Sequence, residues 1–307
     1  FEQALIDLGY DDALDDSVLT ANISDVTNLD VTNKNITSLT GIEGFSALED
    51  LRCSDNSLTS LNINNNTNLT YINFSRSDVT SIDLTNNVLL TNIYCHDNQL
   101  TSLDVSNNTS LIALECNNNS LTSLDLSANT ALTLLKCNHN QLTSLDVSNN
   151  TALTELNAGW NQLTSLDVSA NTALTSIHIG GGSQSQITTL DISNNTALTS
   201  LNTQDILTLT SLDVSANTAL TNLGVNNCAL TSLDVSANTA LTQLSCQNNN
   251  LTSLDVSANT ALIELNCHIN SLTSLDVSNN TSLTYLACYM NDITSLDVSN
   301  ITGLRYL

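Results

Sequence analysis

Eight side chains between residues 71 and 178 hold most of the recognition chemistry of this 307-residue chain: Tyr71, Tyr94, His96, Glu115, Lys136, His139, Trp160 and His178. Aromatic rings beside long polar groups are what binding hot spots are made of. Tyr and Trp flanked by amides and acids also suit a sugar, with a ring stacking on its apolar face and amides meeting its hydroxyls. Zinc is a poor fit, because successive histidines of this set would lie roughly 10 Å apart at the spacing of stacked strands. Catalysis fares no better. Glu115 and Glu155 would also lie roughly 10 Å apart, slightly beyond the pair of an inverting glycosidase. No surrounding sequence encloses them to exclude water or raise a carboxyl pKa. No HExxH, GxSxG, P-loop or dinucleotide fingerprint occurs, so no enzyme is expected.

Two further sets of residues recur at fixed spacing. Asp83, Asp104, Asp125, Asp146, Asp167, Asp191, Asp213, Asp234, Asp255, Asp276 and Asp297 each follow a leucine (isoleucine before Asp83) and precede a valine, leucine or isoleucine. They are expected to point to solvent as one acidic line, roughly 48 Å long at the strand spacing. Neighbours about 5 Å apart repel by about 0.8 kcal/mol in a water-like dielectric, a tolerable cost for a soluble face. Such an array, along Asp104, Asp125, Asp146 and Asp167, could take Ca²⁺ only weakly, since it lacks an enclosing loop; no other cofactor is implied. The same face invites an ice-binding reading, which its charge in every coil disfavours. The second set is seven of the eight cysteines, Cys53, Cys95, Cys116, Cys137, Cys246, Cys267 and Cys288, all at one inward position, with Cys228 replacing an asparagine. There is no CxxC, and parallel side chains suit a disulfide torsion badly. Buried, reduced thiols acting as small apolar residues are expected.

The elements that must position these groups are set by a repeat. From Leu100 the sequence recurs every 21 residues, as in LTSLDVSNNTS (100–110) followed by LIALECNNNS (111–120), and weaker copies reach back to about Val26. Each period nests a ten-residue half, LTxLxCxxNx, and an eleven-residue half, LTSLDVSxNTA. Both share LxxLxLxxN. A period of this length means a solenoid. The alternation around the fourth and sixth positions predicts a short strand in each half, and the ninth-position asparagine should turn inward and satisfy backbone groups. Two ladders follow, one through Asn98, Asn119, Asn140 and Asn161, the other through Asn108, Asn129, Asn150 and Asn171.

This pattern resembles the leucine-rich-repeat superfamily over roughly residues 23–307, and most closely its 21-residue nested bacterial subclass, often called IRREKO. ITSLTGIEGFSALEDL (36–51) is similar to the repeats of internalin-type surface proteins, and FEQALIDLGYDD resembles the start of mature secreted proteins of Bacteroidetes-type bacteria. The resemblance implies an all-β leucine-rich-repeat solenoid with parallel β-sheets on two faces and a short helical N-terminal cap. The expected domains are a cap at 1–22, with Phe1, Leu5 and Leu8 on one helical face and Gly9 ending it, and a solenoid at 23–307. Local irregularity is expected at the insertion GGGSQSQ (180–186), read as a flexible loop able to close one edge of a site, and at LNTQDILT (201–208), which loses the asparagine.

Composition limits the partners. Five basic residues against 30 acidic ones, a net charge of −25, exclude a nucleic-acid or anionic-membrane binder. No apolar run reaches the roughly 20 residues of a membrane span. The outward positions of the ten-residue half vary on a constant frame, which is how a binding surface reads, and unused surface drift reads alike. Three of the five basic residues (Arg52, Arg76, Lys136), three of the four histidines and the single tryptophan fall on this face before the glycine insertion. Coils 220–250 offer only Asn222, Gly224, Asn226, Gln243, Ser245 and Gln247 there. The expected function is a secreted or cell-surface bacterial recognition or adhesion module for a protein or glycan. The alternative is an acidic structural spacer. A downstream domain or partner is expected to cover the C-terminal edge, where Leu304-Arg-Tyr-Leu307 begins another half-unit.

Overall fold

A computed structural model describes residues 1–182 and 184–307, so the insertion is seen except at Ser183. The chain divides into two compact units, 1–150 and 151–307. In the first, strands β1 (Asn28–Asp30), β2 (Asp50–Arg52), β3 (Tyr71–Asn73), β4 (Asn92–Tyr94), β5 (Ala113–Glu115) and β6 (Leu134–Lys136) pair in parallel and in sequence order. The second repeats this with β7 (Glu155–Asn157), β8 (Ser176–His178), β9 (Ser200–Asn202), β10 (Asn222–Gly224), β11 (Gln243–Ser245), β12 (Glu264–Asn266) and β13 (Tyr285–Ala287). The register is strict: Leu114 pairs with Leu135, and Leu223 with Leu244. Each strand has a buried central residue and comes from the third to fifth positions of the ten-residue half. This is the expected leucine-rich-repeat solenoid with very little helix.

The core is built from the repeat leucines. Leu111, Leu114, Leu121 and Leu126 are all buried, as are Cys116 and the ladder residue Asn129. The cysteine position is filled elsewhere by Phe74, Ala158, Ile179, Thr203 and Val225, so its common property is burial. All eight thiols are free, and only Cys288 is half-buried. Burial pushes Cys137 and Cys267 up to about 12, and Cys116 well above its ordinary value. Few thiolates therefore exist near neutral pH, and buried thiols of this kind are inert.

Three expectations change. The eleven-residue half forms no strand among the described residues. Its Leu-Asp-Val segments alternate exposed and buried residues as a strand would, but turns follow at once: Asn108 N–H bonds Val105 O at 3.0 Å and Leu111 N–H bonds Asn108 O at 3.1 Å. There is one sheet face in each unit, not two. At the N-terminus, α1 (Glu2–Asp7) buries Ala4 and Leu5, whereas Leu8 lies beyond it and is exposed. Gly9, at φ +80°, ends the helix with its N–H on Ile6 O. Phe1 and Tyr10 lie against Phe45, with ring centroids 6.2 and 6.4 Å away. The coil that loses its asparagine keeps its packing: Ile206 fills the ladder place, and one coil on, the Cys228 thiol donates to Thr203 O at 3.3 Å, as an amide would.

Candidate functional site

Two kinds of backbone fixing hold the outward side chains of the strand face. Within each unit the strands tie coil to coil, and the ladder asparagines brace the turn that follows. Asn119 donates through Nδ2 to Cys95 O, Cys116 O and Asn117 O and accepts Leu100 N–H on Oδ1 at 2.9 Å. The residue before the ladder position is left-handed, whatever its type: Arg76, ahead of Ser77, and Asn118, His139, Trp160, Ile269 and Met290, each ahead of an asparagine, all have φ of 53–54°. Asparagine tolerates this conformation; bulky and β-branched residues adopt it at a cost. The eighth position therefore projects these six side chains at closely similar angles.

In the first unit the varied side chains form connected pairs. Asp50 grips Arg52 with 3.0 and 3.1 Å hydrogen bonds, and these hold the guanidinium pKa above its ordinary value. The guanidinium sits 4.8 Å from the centroid of the Tyr71 ring, a cation–π contact. Tyr71 in turn meets Tyr94 at 5.3 Å, and burial raises its phenol pKa. Further along, Lys136 Nζ lies 3.1 Å from Glu115 Oε1. His96 bonds Asp97 at 2.8 Å, and Arg76 lies between Asp55 and Asp97 at 3.4 and 3.9 Å. His139 is exposed at a left-handed position. The expected residues Tyr71 and Tyr94 are thus brought together, as are Glu115 and Lys136. The Arg52–Asp50 clamp extends the row by one coil beyond the expected set.

In the second unit Trp160 and His178 are set by glycines. Trp160, 44% exposed, lies against Gly181 and Gly182. A Cβ on Gly181 would overlap indole Cδ1, Cγ and Nε1, and one on Gly182 would meet Cε3 and Cζ3 at 3.2 Å. Both rings of the indole therefore face this dipeptide, whose φ values of +122° and +78° suit glycine. His178 lies beside Gly159, where a Cβ would come within 2.9 Å of its Cδ2. A second aromatic group was missed by a reading that stopped at residue 178: His268 stacks on Tyr289 at 4.3 Å and 11°, and Tyr285 meets Tyr306 at 6.0 Å. Its signal was the repeat itself, since His268 and Tyr289 share the seventh position of successive coils.

The acidic column is exposed, and each carboxylate is partly used. Asp104, Asp125 and Asp276 accept the N–H of the serine two residues on at 2.9 Å, which holds their pKa below the ordinary 3.8. Among the described residues no group of three or more His, Cys, Asp or Glu side chains converges to hold a metal ion, and no helix is long and apolar enough to cross a membrane.

Strands in strict register, leucine files and asparagine ladders define the leucine-rich-repeat class of proteins. No family model matches the chain, nor does any curated protein. Solved structures do. The chain is 37% identical to the functional domain of InlJ from Listeria monocytogenes, which includes a cysteine ladder; the match covers 94% of this chain and 69% of that one, with a TM-score of 0.84. An internalin (InlF) of the same species shares the fold at 22% identity, covering 99% and 93% of the two chains with a TM-score of 0.90. A leucine-rich-repeat protein of Leptospira interrogans does so at 22% identity, covering 94% and 79% with a TM-score of 0.81. The chain belongs to the leucine-rich-repeat proteins, and these neighbours are bacterial and internalin-like.

Proposed function

We propose that this chain is a non-catalytic recognition module of an exported, surface-displayed or secreted bacterial protein, and that it grips a protein partner with its strand face. The reading includes the finer family assignment, the 21-residue nested subclass of Bacteroidetes-like secreted proteins, with residues 1–22 as cap and 23–307 as solenoid. One observation carries it. On a frame whose inward residues barely change, the outward row of the first unit holds Asp50, Arg52, Tyr71 and Tyr94 in contact, with Glu115 and Lys136 paired further along. Tyr and Arg pre-organised by their neighbours lose little entropy on binding and are the residue types that dominate protein interfaces. His96 and His139 flank the row. An open sheet does not exclude water, which suits binding and not chemistry.

Surface plasmon resonance against purified host-surface proteins tests this. A binder from that panel should lose at least about tenfold in affinity to the Tyr94→Ala, Lys136→Ala double variant, a loss of about 1.4 kcal/mol or more. Unchanged affinity for every binder would remove the row from the interface.

A further inference from the structure

The N-terminal part of the second unit presents a different chemistry. No lysine or arginine occurs between residues 137 and 304, so nothing there supplies a cation to an acidic partner. The fifth position there offers Asn157 on β7, two residues on from Glu155, His178 on β8 and Asn202 on β9. Two of these amides have a fixed orientation. Asn157 Oδ1 accepts Gly159 N–H at 3.3 Å, and Asn202 Oδ1 accepts Gln204 N–H at 2.9 Å. With the oxygen turned back to the chain, each presents its NH₂ group as a donor. Three residues on from Asn157 lies the Trp160 indole, backed by Gly181 and Gly182 and 44% exposed.

The backing needs explaining. Trp160 occupies a position where φ is 54°, which Asn or Asp fills in seven other coils and Arg76, His139, Ile269 and Met290 fill in four. A large ring there gains nothing for the backbone. Gly181, one period on at the same place in the next coil, and Gly182 after it leave room beneath the ring. A flat aromatic platform beside uncharged hydrogen-bond donors matches one kind of molecule well: a ring with apolar C–H groups on its face and hydroxyls on its rim.

We propose that Trp160, with Asn157, His178 and Asn202, is a subsite for a neutral pyranose of a polysaccharide. It rests on the recognition reading only in using the same strand face, and it involves none of the row from Asp50 to Lys136. Because Trp160 is the chain's single tryptophan, its fluorescence reports this place alone.

The test titrates the full chain with cellohexaose, laminarihexaose and mannohexaose, following tryptophan emission and calorimetric heat. At least one is expected to shift emission to the blue, protect it from acrylamide and bind with measurable heat. Trp160→Ala should weaken that binding at least about tenfold, Trp160→Tyr should restore part of it, and Gly181→Ala should weaken it by displacing the platform. Tyr94→Ala with Lys136→Ala should leave it unchanged, so failure here and failure of the protein-partner reading are separate results. No spectral or calorimetric response to any of the three hexaoses at 10 mM, or equal affinity in Trp160→Ala, overturns the subsite. A response to a lysine-rich peptide but to no sugar overturns it in favour of a cation on the indole.

Discussion

The two halves of each coil share LxxLxLxxN, yet one makes a strand and the other does not. In the ten-residue half, backbone N–H groups reach the next coil: Cys116 N–H bonds Lys136 O at 2.8 Å and Asn118 N–H bonds Asn138 O at 3.0 Å. In the eleven-residue half they are used locally, by the aspartate for Ser106 and by successive turns for Asn108 and Leu111. Local bonds of this kind compete with a ladder and here they prevail. The asparagines differ accordingly. Asn119 uses both ends of its amide, whereas Asn129 donates to Val105 O and Asn108 O while its buried Oδ1 has no partner. The same is true of Asn66, Asn87, Asn108, Asn195 and Asn217. The shared motif therefore specifies where the chain turns inward, and the residues between its fixed points decide how neighbouring coils are joined.

This contrast can be broken in order of effect. Asn119→Ala removes an NH₂ group shared by three carbonyls and an acceptor and should lower stability by about 3 kcal/mol in urea denaturation, against about 2 kcal/mol for Asn129→Ala. Equal or reversed losses would mean that the idle Oδ1 atoms of the second ladder are not a weakness. Ile269 is β-branched at φ 53°, so Ile269→Gly should raise the urea midpoint, by about 1 kcal/mol in free energy, although a side chain is deleted. A fall would show that the isoleucine earns its place by packing. The smallest effect lies on the acidic column. There the folded carboxylates have pKa values below 3.8, so their contribution is complete above the unfolded value and is lost as pH falls through the folded ones. In 1 M NaCl, which screens repulsion within the chain, the denaturation midpoint should hold from pH 7 to 5 and drop only below about pH 4. Asp125→Asn keeps an acceptor for Ser127 and should blunt that drop; Asp125→Ala should lower the midpoint already at pH 7.

The sequence made the coil plain because its signals are periodic and local: a leucine every few residues, an asparagine at each inward turn. What it concealed followed from contacts one period away or from competition for a hydrogen bond. Leu-Asp-Val alternates like a strand, and nothing in the alternation says that aspartate will take the N–H of Ser106. Trp160 was easy to single out as the lone indole, but its seat on Gly181 and Gly182 joins residues 21 and 22 positions away. Counting places Tyr71 and Tyr94 on one face but sets Tyr71 against Asn92; their ring contact, like the clamp of Arg52 by Asp50, depends on side-chain torsions that counting does not reach. Leu8 fell outside its helix because α1 stops at Asp7, before the apolar spacing does.

The ladder of Asn119 has one consequence for how such a chain can change over generations. Its partners lie in its own coil and in the coil before it, and the strands obey the same rule. Duplicating or deleting one entire period leaves every surviving coil with an equivalent neighbour, while a gain of any other length must be absorbed where it occurs. The coil that begins at Leu174 holds a gain of that second sort, 24 residues to Leu198 in place of 21, and its glycines seat the chain's single indole. Whole turns add coils of one kind; an odd fragment of a turn stays where it arose, beside the glycines on which the indole rests.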